Sequence, residues 1–219
     1  MVDSTIYSFI GPPCSGKGTL AQRCNKDLAF PVLSTGDLCR KHVELGTELG
    51  KLISAYLNNN RLIPDSLIAD IVCDWIILKS ATAGSVILDG FPRTRGQAAF
   101  FLDFFKQNVP NFNFKAICFT ISDEEVIERV EKRLVCQNKS CQAVYSDEIV
   151  KNGFCCFCGS KLLKREDDKI KGVKERLKRY PEYKEKLLSF YDSVDVNMCI
   201  LDVSSKLQDQ VFREFKAII

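Results

Sequence analysis

Ile6-Tyr7-Ser8-Phe9-Ile10 runs directly into Gly11-Pro12-Pro13-Cys14-Ser15-Gly16-Lys17-Gly18-Thr19. An apolar strand, a glycine-rich turn and a helix start follow one another, and nothing else in the chain narrows the fold as much. Such a turn aims consecutive backbone N–H groups, and the positive end of the helix dipole, at an anion. The lysine adds a mobile point charge for phosphate oxygens. The spacing G-x-x-x-x-G-K is that of a phosphate-binding loop, with one departure. Ser or Thr usually follows the lysine to hold Mg²⁺, whereas Gly18 stands there and Thr19 comes one later.

The rest of the chain alternates apolar, β-branched runs with helical patterns. Strands are predicted at Thr5–Ile10, Pro31–Leu33, Ser85–Leu88, Lys115–Thr120 and Asn197–Leu201. Helices are predicted after Lys17, between Asp37 and Lys79, and over Thr94–Gln107, Asp123–Leu134, Lys169–Tyr191 and Leu207 onward. This order implies an α/β fold with a central five-stranded, mainly parallel sheet covered by helices on both faces. Ligands in such sheets lie beyond the carboxyl ends of the strands. Asp37 and Asp89 fall there too. Two stretches break the spacing. Residues 34–64 are mostly helical, and residues 132–168 are cysteine-rich with little helical periodicity. Both read as lobes inserted into a core of 1–33, 65–131 and 169–219, the kind of insertion that serves as a lid.

Val86-Ile87-Leu88-Asp89 ends a strand in an acid, as in the element that organises Mg²⁺ and its waters in phosphate-loop enzymes. Gly90 and Pro92 then turn the chain, and Arg93 emerges beside the acid. Arg40, Arg129, Arg133, Arg165 and Arg176 also stand at element ends. Arg129 and Arg133, four apart on the predicted helix, would share one face. A guanidinium is always charged and grips two oxygens at once, which suits phosphate.

Ser34-Thr35-Gly36-Asp37-Leu38-Cys39-Arg40, Leu88-Asp89-Gly90-Phe91-Pro92-Arg93-Thr94 and the loop ending Gly16-Lys17-Gly18-Thr19 together resemble the adenylate kinases of the bacterial, long-lid type, over essentially the whole chain. That family has glycine where Gly18 stands. The resemblance implies reversible transfer of phosphate from MgATP to AMP, giving two ADP, with Lys17, Arg93, Arg133, Arg165 and Arg176 as the catalytic cations. ATP would lie against Cys14, Ser15, Gly16, Lys17, Gly18 and Thr19. Arg129 would stack on its adenine, Arg133 would touch its phosphates, and Val144, Tyr145 and Lys206 would lie close by. AMP would lie against Thr35, Arg40, Arg61, Leu62, Ile63, Gly90, Phe91, Pro92, Arg93 and Gln97, with Gln97 reading the base edge. Arg165 and Arg176 would bridge the two nucleotides, and Asp89 would sit in the outer shell of Mg²⁺. The acceptor is already an ionised phosphate, so the reaction needs no general base. The single histidine, His42, is then expected to be a surface helix residue. After Asp167-Asp168 this chain has Lys169-Ile170-Lys171-Gly172 where the family is usually acidic, and Leu134 replaces a second arginine.

Eleven cysteines, an odd number, argue against a disulfide framework and for a reducing, cytoplasmic compartment. Six read as small buried hydrophobes. Cys136-x₄-Cys141 and Cys155-x₂-Cys158 are separated by thirteen residues, which is the pattern of two zinc knuckles forming a tetrahedral Cys₄ site. The intervening segment has too little apolar surface for its own core, and a metal could replace one. Cys156 could compete as a ligand, and free thiols or a disulfide pair are the other readings. Net charge of +3 is too small to argue for nucleic acid, no apolar run approaches a membrane span, and the N-terminus lacks a secretory pattern. The expected partners are ATP, AMP and ADP, with no nucleic acid, no membrane and a monomeric chain. The alternatives are a UMP/CMP-type kinase or, in a different class, a zinc-containing nucleic-acid-binding module on an inactive phosphate-loop fold.

Overall fold

Both faces of β1 (Ser4–Ile10) are apolar, and that places it at the centre of a sheet. The computed structural model describes residues 4–58, 63–80, 84–108, 112–138, 141, 143–147, 150, 152–165 and 168–219. In it β1 pairs in parallel with β3 (Ser85–Asp89) on one side and β4 (Phe112–Thr120) on the other. Short β2 (Val32–Ser34) and β8 (Asn197–Asp202) extend the sheet at its two edges, also in parallel, giving the order β2-β3-β1-β4-β8. All five expected strands are present, and β4 begins three residues before its expected start.

Alternate residues feed two cores. Ile6, Ile10, Val86, Leu88, Ala116 and Cys118 pack on α4 (Asp65–Ser80), α5 (Arg95–Asn108) and α7 (Ile170–Ser193). Tyr7, Phe9, Ile87, Ile117 and Phe119 pack on α1 (Lys17–Leu28) and α8 (Gln208–Ile218). Burial on both faces is what a parallel sheet with helical crossovers demands. Phe9 sits with its ring centroid 5.2 Å from that of Phe119 and 5.4 Å from that of Phe215. Each such fully buried ring contributes roughly 1.5–3 kcal/mol. This rigid centre holds the loop after β1.

The connection from β1 leads towards the β2 edge and the connection from β4 towards the β8 edge. They diverge, so a crevice opens at the carboxyl ends of these neighbouring strands. The first inserted lobe is helical: α2 (Thr35–Glu44) and α3 (Glu48–Asn58). The Ser34 hydroxyl caps α2 by accepting the Asp37 N–H at 3.3 Å. A Cβ on Gly50 would overlap the carbonyl of His42, so glycine is what lets α3 meet α2 this closely. His42 lies near the end of α2, half-buried, and its Nδ1 is 3.0 Å from Thr47 Oγ1.

The second lobe differs from expectation. The helix predicted over Asp123–Leu134 is α6 (Asp123–Lys132), and Arg133 is already extended, with φ −72° and ψ 128°. β5 (Arg133–Cys136) pairs antiparallel with β6 (Val144–Ser146) and β7 (Leu162–Leu163) in a small sheet of its own. Val135 faces Val144 across that sheet and Leu134 faces Tyr145, and pairing of β-branched and aromatic residues outweighs one more helical turn. Arg129 and Arg133 therefore do not share a helix face. Strands of two to four residues with few apolar positions leave no period to read, so no strand is predicted here. Among the described residues no helix is long and apolar enough to cross a membrane.

Candidate active site

The loop after β1 is shaped by left-handed residues at Cys14 (φ 55°) and at Gly16 (φ 88°), which precedes the first residue of α1. A Cβ on Gly11 would lie 2.8 Å from Phe119 Cβ, so the loop packs tightly on β4 where it leaves the sheet. Lys17 folds back over the loop. Its Nζ donates to Gly11 O at 2.9 Å, Pro12 O at 2.6 Å and Ser15 Oγ at 3.0 Å. Burial pushes its ammonium down to about 8, against the pull of the Asp89 carboxylate, and Arg93 and Arg133 push the same way.

Gly18 has a structural reason. A Cβ there would lie 3.2 Å from Asp89 Oδ2, so the missing side chain seats the carboxylate at the end of β3 against the first turn of α1. Burial raises the Asp89 pKa; Lys17, Arg93 and Arg165 oppose that rise, and Asp37 reinforces it. Thr35 Oγ1 lies 3.3 Å from the carbonyl of Asp89 and 3.1 Å from that of Gly90, tying the start of α2 to the end of β3. The peptide between Phe91 and Pro92 is cis, and Gly90 is left-handed at φ 78°. A Cβ on Gly90 would meet the Arg93 guanidinium at 2.8 Å. Arg93 Nε donates to Gly90 O at 2.7 Å.

The expected arginines converge. Arg93 lies within electrostatic reach of Asp89, Arg40 and Arg176. Arg133 and Arg176 act on Cys14 beside Lys17, and Arg165 acts on Asp89. Arg133 makes a two-pronged ion pair with the almost fully buried Asp168 carboxylate, Nε to Oδ2 at 2.7 Å and Nη2 to Oδ1. Arg40 pairs with Asp37. Arg129 donates to Glu125 at 2.6 Å and to Val203 O at 2.7 Å, and its Nη1 lies 3.9 Å from where a Gly16 Cβ would be. The 203–206 turn is held there by Glu125, which accepts the Ser205 N–H at 3.0 Å. Lys206 commits its side chain to Glu214 at 2.8 Å. Gln97 is buried, and its Oε1 accepts the Arg93 N–H at 2.8 Å. Of the expected acceptor-side turn, Ile63 packs against the core, and Arg61 and Leu62 lie outside the described residues.

The sequence predicts no partner role for Glu125 or Asp168, the two acids that orient Arg129 and Arg133. Glu125 stands four residues before Arg129, a helical ion-pair spacing. Asp168 had no local signal, because it meets Arg133 only through the fold.

In the small lobe the Sγ atoms of Cys136, Cys141, Cys155 and Cys158 all lie within 4.8 Å of one another, with Cys136–Cys158 at 3.4 Å and Cys141–Cys155 at 3.6 Å. Tetrahedral zinc with bonds of ~2.3 Å would set sulfur–sulfur edges of about 3.8 Å, so the donor set fits that ion. A disulfide would need ~2.05 Å, and none of the eleven cysteines is disulfide-bonded. Burial raises the Cys136 thiol to about 12. Burial would also raise Cys155, but donors from Tyr145, Cys158 and Phe157 outweigh it and bring the thiol down to about 6, and hydrogen bonds from Ser160 lower the Cys158 thiol as well. Cys156 is exposed and outside the four-sulfur cluster, with its Sγ 3.1 Å from Tyr145 Oη. Tyr145 Oη also meets Cys155 Sγ at 3.2 Å and accepts the Cys156 N–H at 3.2 Å. The Tyr145 hydroxyl thus braces the knuckle, and neighbouring Val144 pairs with Val135.

A phosphate-binding loop, a strand-end carboxylate and a convergence of arginines on a parallel α/β sheet define a phosphotransferase with two anionic substrates. The chain matches the family model for adenylate kinase over residues 9–196. The adenylate kinase of Chlamydia caviae is 34% identical over 220 residues, 99% of this chain and 98% of that protein. Those of Archaeoglobus fulgidus and Treponema denticola are 35% and 36% identical, covering 96% and 95% of this chain and 96% of each relative. The chain belongs to the adenylate kinase family.

Proposed function

We propose that this chain transfers the terminal phosphoryl group of MgATP reversibly to AMP, forming two ADP. The observation that carries this reading is the gathering of Lys17, Arg40, Arg93, Arg133, Arg165 and Arg176 around the Asp89 carboxylate and the loop after β1. That much positive charge in one crevice suits two polyphosphates end to end. Residues 14–19 wrap the ATP phosphates. Lys17 exchanges its three protein acceptors for phosphate oxygens, and Arg129 with the backbone at Lys206 flanks the adenine. Thr35, Arg40, Ile63, Gly90–Arg93 and Gln97 take AMP. Arg165 and Arg176 span the two substrates. Asp89 holds waters of the Mg²⁺ that arrives with ATP. Transfer then proceeds by alignment and charge neutralisation, with the lobes 34–64 and 132–168 excluding water. Zinc on Cys136, Cys141, Cys155 and Cys158 would be structural, since four thiolates fill a tetrahedral shell.

The test is a coupled ADP assay with AMP, CMP, UMP and GMP as acceptors. AMP is expected to exceed the others at least ~10²-fold in kcat/KM, because a site built to hydrogen-bond one base edge leaves buried groups unpaired with another. Preference for any other acceptor overturns the base assignment. No ADP from any of them overturns the function.

Gly18→Ala gives a second test. Gly18 is the second residue of α1, where alanine brings only part of the ~1 kcal/mol advantage it has in a helix interior, so melting temperature should change little. The new methyl would crowd Asp89 and should lower kcat by roughly 10-fold, about 1.4 kcal/mol. Unchanged kcat would show that the seat of Asp89 against α1 does not matter to turnover.

A further inference from the structure

Asp65 is the first residue of α4, and Thr94 stands immediately before α5. Thr94 Oγ1 donates to Asp65 Oδ2 at 2.8 Å and accepts the Gln97 N–H at 3.1 Å. Gln97 Oε1 in turn accepts the Arg93 N–H at 2.8 Å. This relay has one sense. A threonine hydroxyl carries a single proton and an ionised carboxylate can only accept. Asp65 takes that proton, so the hydroxyl is left with a lone pair for the Gln97 N–H, as at a helix N-cap. Thr94 thereby fixes the backbone of Gln97 in the first turn of α5; separately, the Arg93 N–H can only donate, so it holds the carboxamide oxygen and leaves the NH₂ as the donor end for a ligand. Gly96 belongs to the same arrangement: a Cβ there would overlap Asp65 Oδ2, so a glycine in the first turn of α5 lets the carboxylate approach. Asp65 also directly follows Ile63-Pro64, on the acceptor side of the crevice.

We propose that Asp65 is a positioning residue for base selection: through Thr94 it anchors the backbone of Gln97 at the start of α5, and so the place from which the Gln97 carboxamide discriminates between AMP and other nucleoside monophosphates. This rests on Gln97 reading the base of AMP. A side chain that only stabilised the junction of α4 and α5 would affect all acceptors alike. One that orients the reader changes the ratio between them.

The experiment measures kcat and KM for AMP and for UMP at saturating MgATP, together with melting temperature. The variants are Asp65→Ala, Asp65→Asn, Thr94→Val, Thr94→Ser, Gln97→Ala and the double variant Asp65→Ala/Gln97→Ala. Loss of a charge-assisted hydrogen bond is expected to raise KM for AMP by ~10-fold in Asp65→Ala and Thr94→Val and to shrink the AMP/UMP ratio of kcat/KM about as much. KM for ATP should not move. Thr94→Ser and Asp65→Asn, which keep an acceptor for the hydroxyl and a lone pair for Gln97, should retain most of the ratio. The double variant should be no less selective than Gln97→Ala alone, since both changes act through one group. Equal losses for AMP and UMP in Asp65→Ala and Thr94→Val, or losses additive with Gln97→Ala, overturn the proposal while the reading of Gln97 stands. If Gln97→Ala itself keeps the full ratio, that reading is what fails, and the proposal with it. Should Asp65→Ala not fold, Thr94→Val with its Thr94→Ser control decides alone.

Discussion

Lys17→Met should lower kcat by ~10²–10³-fold, the loss typical of removing one preorganised donor to a developing anion. The side chain length is preserved and only the charged head is lost. The folded protein tolerates that loss for a physical reason. Burial has already pushed the Lys17 ammonium down to about 8, so the ligand-free site disfavours the charge it holds. Its acceptors are two loop carbonyls and the Ser15 hydroxyl, neutral groups that lose a hydrogen bond but leave no unpaired charge behind. The melting temperature should therefore shift by no more than ~4 °C. The same shift fixes a pH dependence. Phosphate binding raises the pKa of Lys17, so its contribution to ATP affinity is fully present below pH 8. It fades as pH rises through about 8. KM for ATP should climb there in the parent protein and stay flat in Lys17→Met. Near-normal ADP formation by the variant would remove Lys17 from the chemistry.

The reach of the sequence follows from what each feature depends on. Strand, loop and helix at residues 4–28 are local, and hydrophobic alternation with one glycine-rich turn was enough to place them. The five strands of the sheet were legible for the same reason: Val86-Ile87-Leu88 and Ala116-Ile117-Cys118 are buried on both faces and read as continuous apolar runs. Partners across the fold were not legible. Asp168 reaches Arg133 from thirty-five residues away, and Thr94 reaches Asp65 across twenty-nine. Charged residues continue the helical pattern of α6 through Arg133, while the strand there comes from the pairing of β5 with β6, Arg133 facing Ser146, Leu134 facing Tyr145 and Val135 facing Val144, which no local signal announces. Gly18 looked like a defect in its motif and proved to be a contact with Asp89.

Chelating the zinc proposed for Cys136, Cys141, Cys155 and Cys158 should unfold the cysteine lobe and leave the sheet intact. Its apolar core is Cys136, Ala143, Cys155 and Leu162, with a few half-buried neighbours. Two of those four are themselves proposed ligands. β5, β6 and β7 have four, three and two residues, and so small a sheet is marginal unless something else holds it. Zinc bound by four thiolates supplies an apparent ~10–16 kcal/mol in small domains, more than such a core can. Protein purified without chelator under reducing conditions should carry one zinc per chain. Cys156→Ser should leave that stoichiometry unchanged, and Cys155→Ser or Cys158→Ser should abolish it. In the metal-free protein, amide hydrogen exchange should become fast across β5, β6 and β7 while β1, β3 and β4 stay protected. KM for ATP should rise more than KM for AMP, because Arg133 opens β5 and its partner Asp168 closes the lobe at the other end. A lobe that keeps slow exchange after complete chelation would mean its packing suffices, and the four sulfurs would then need another explanation.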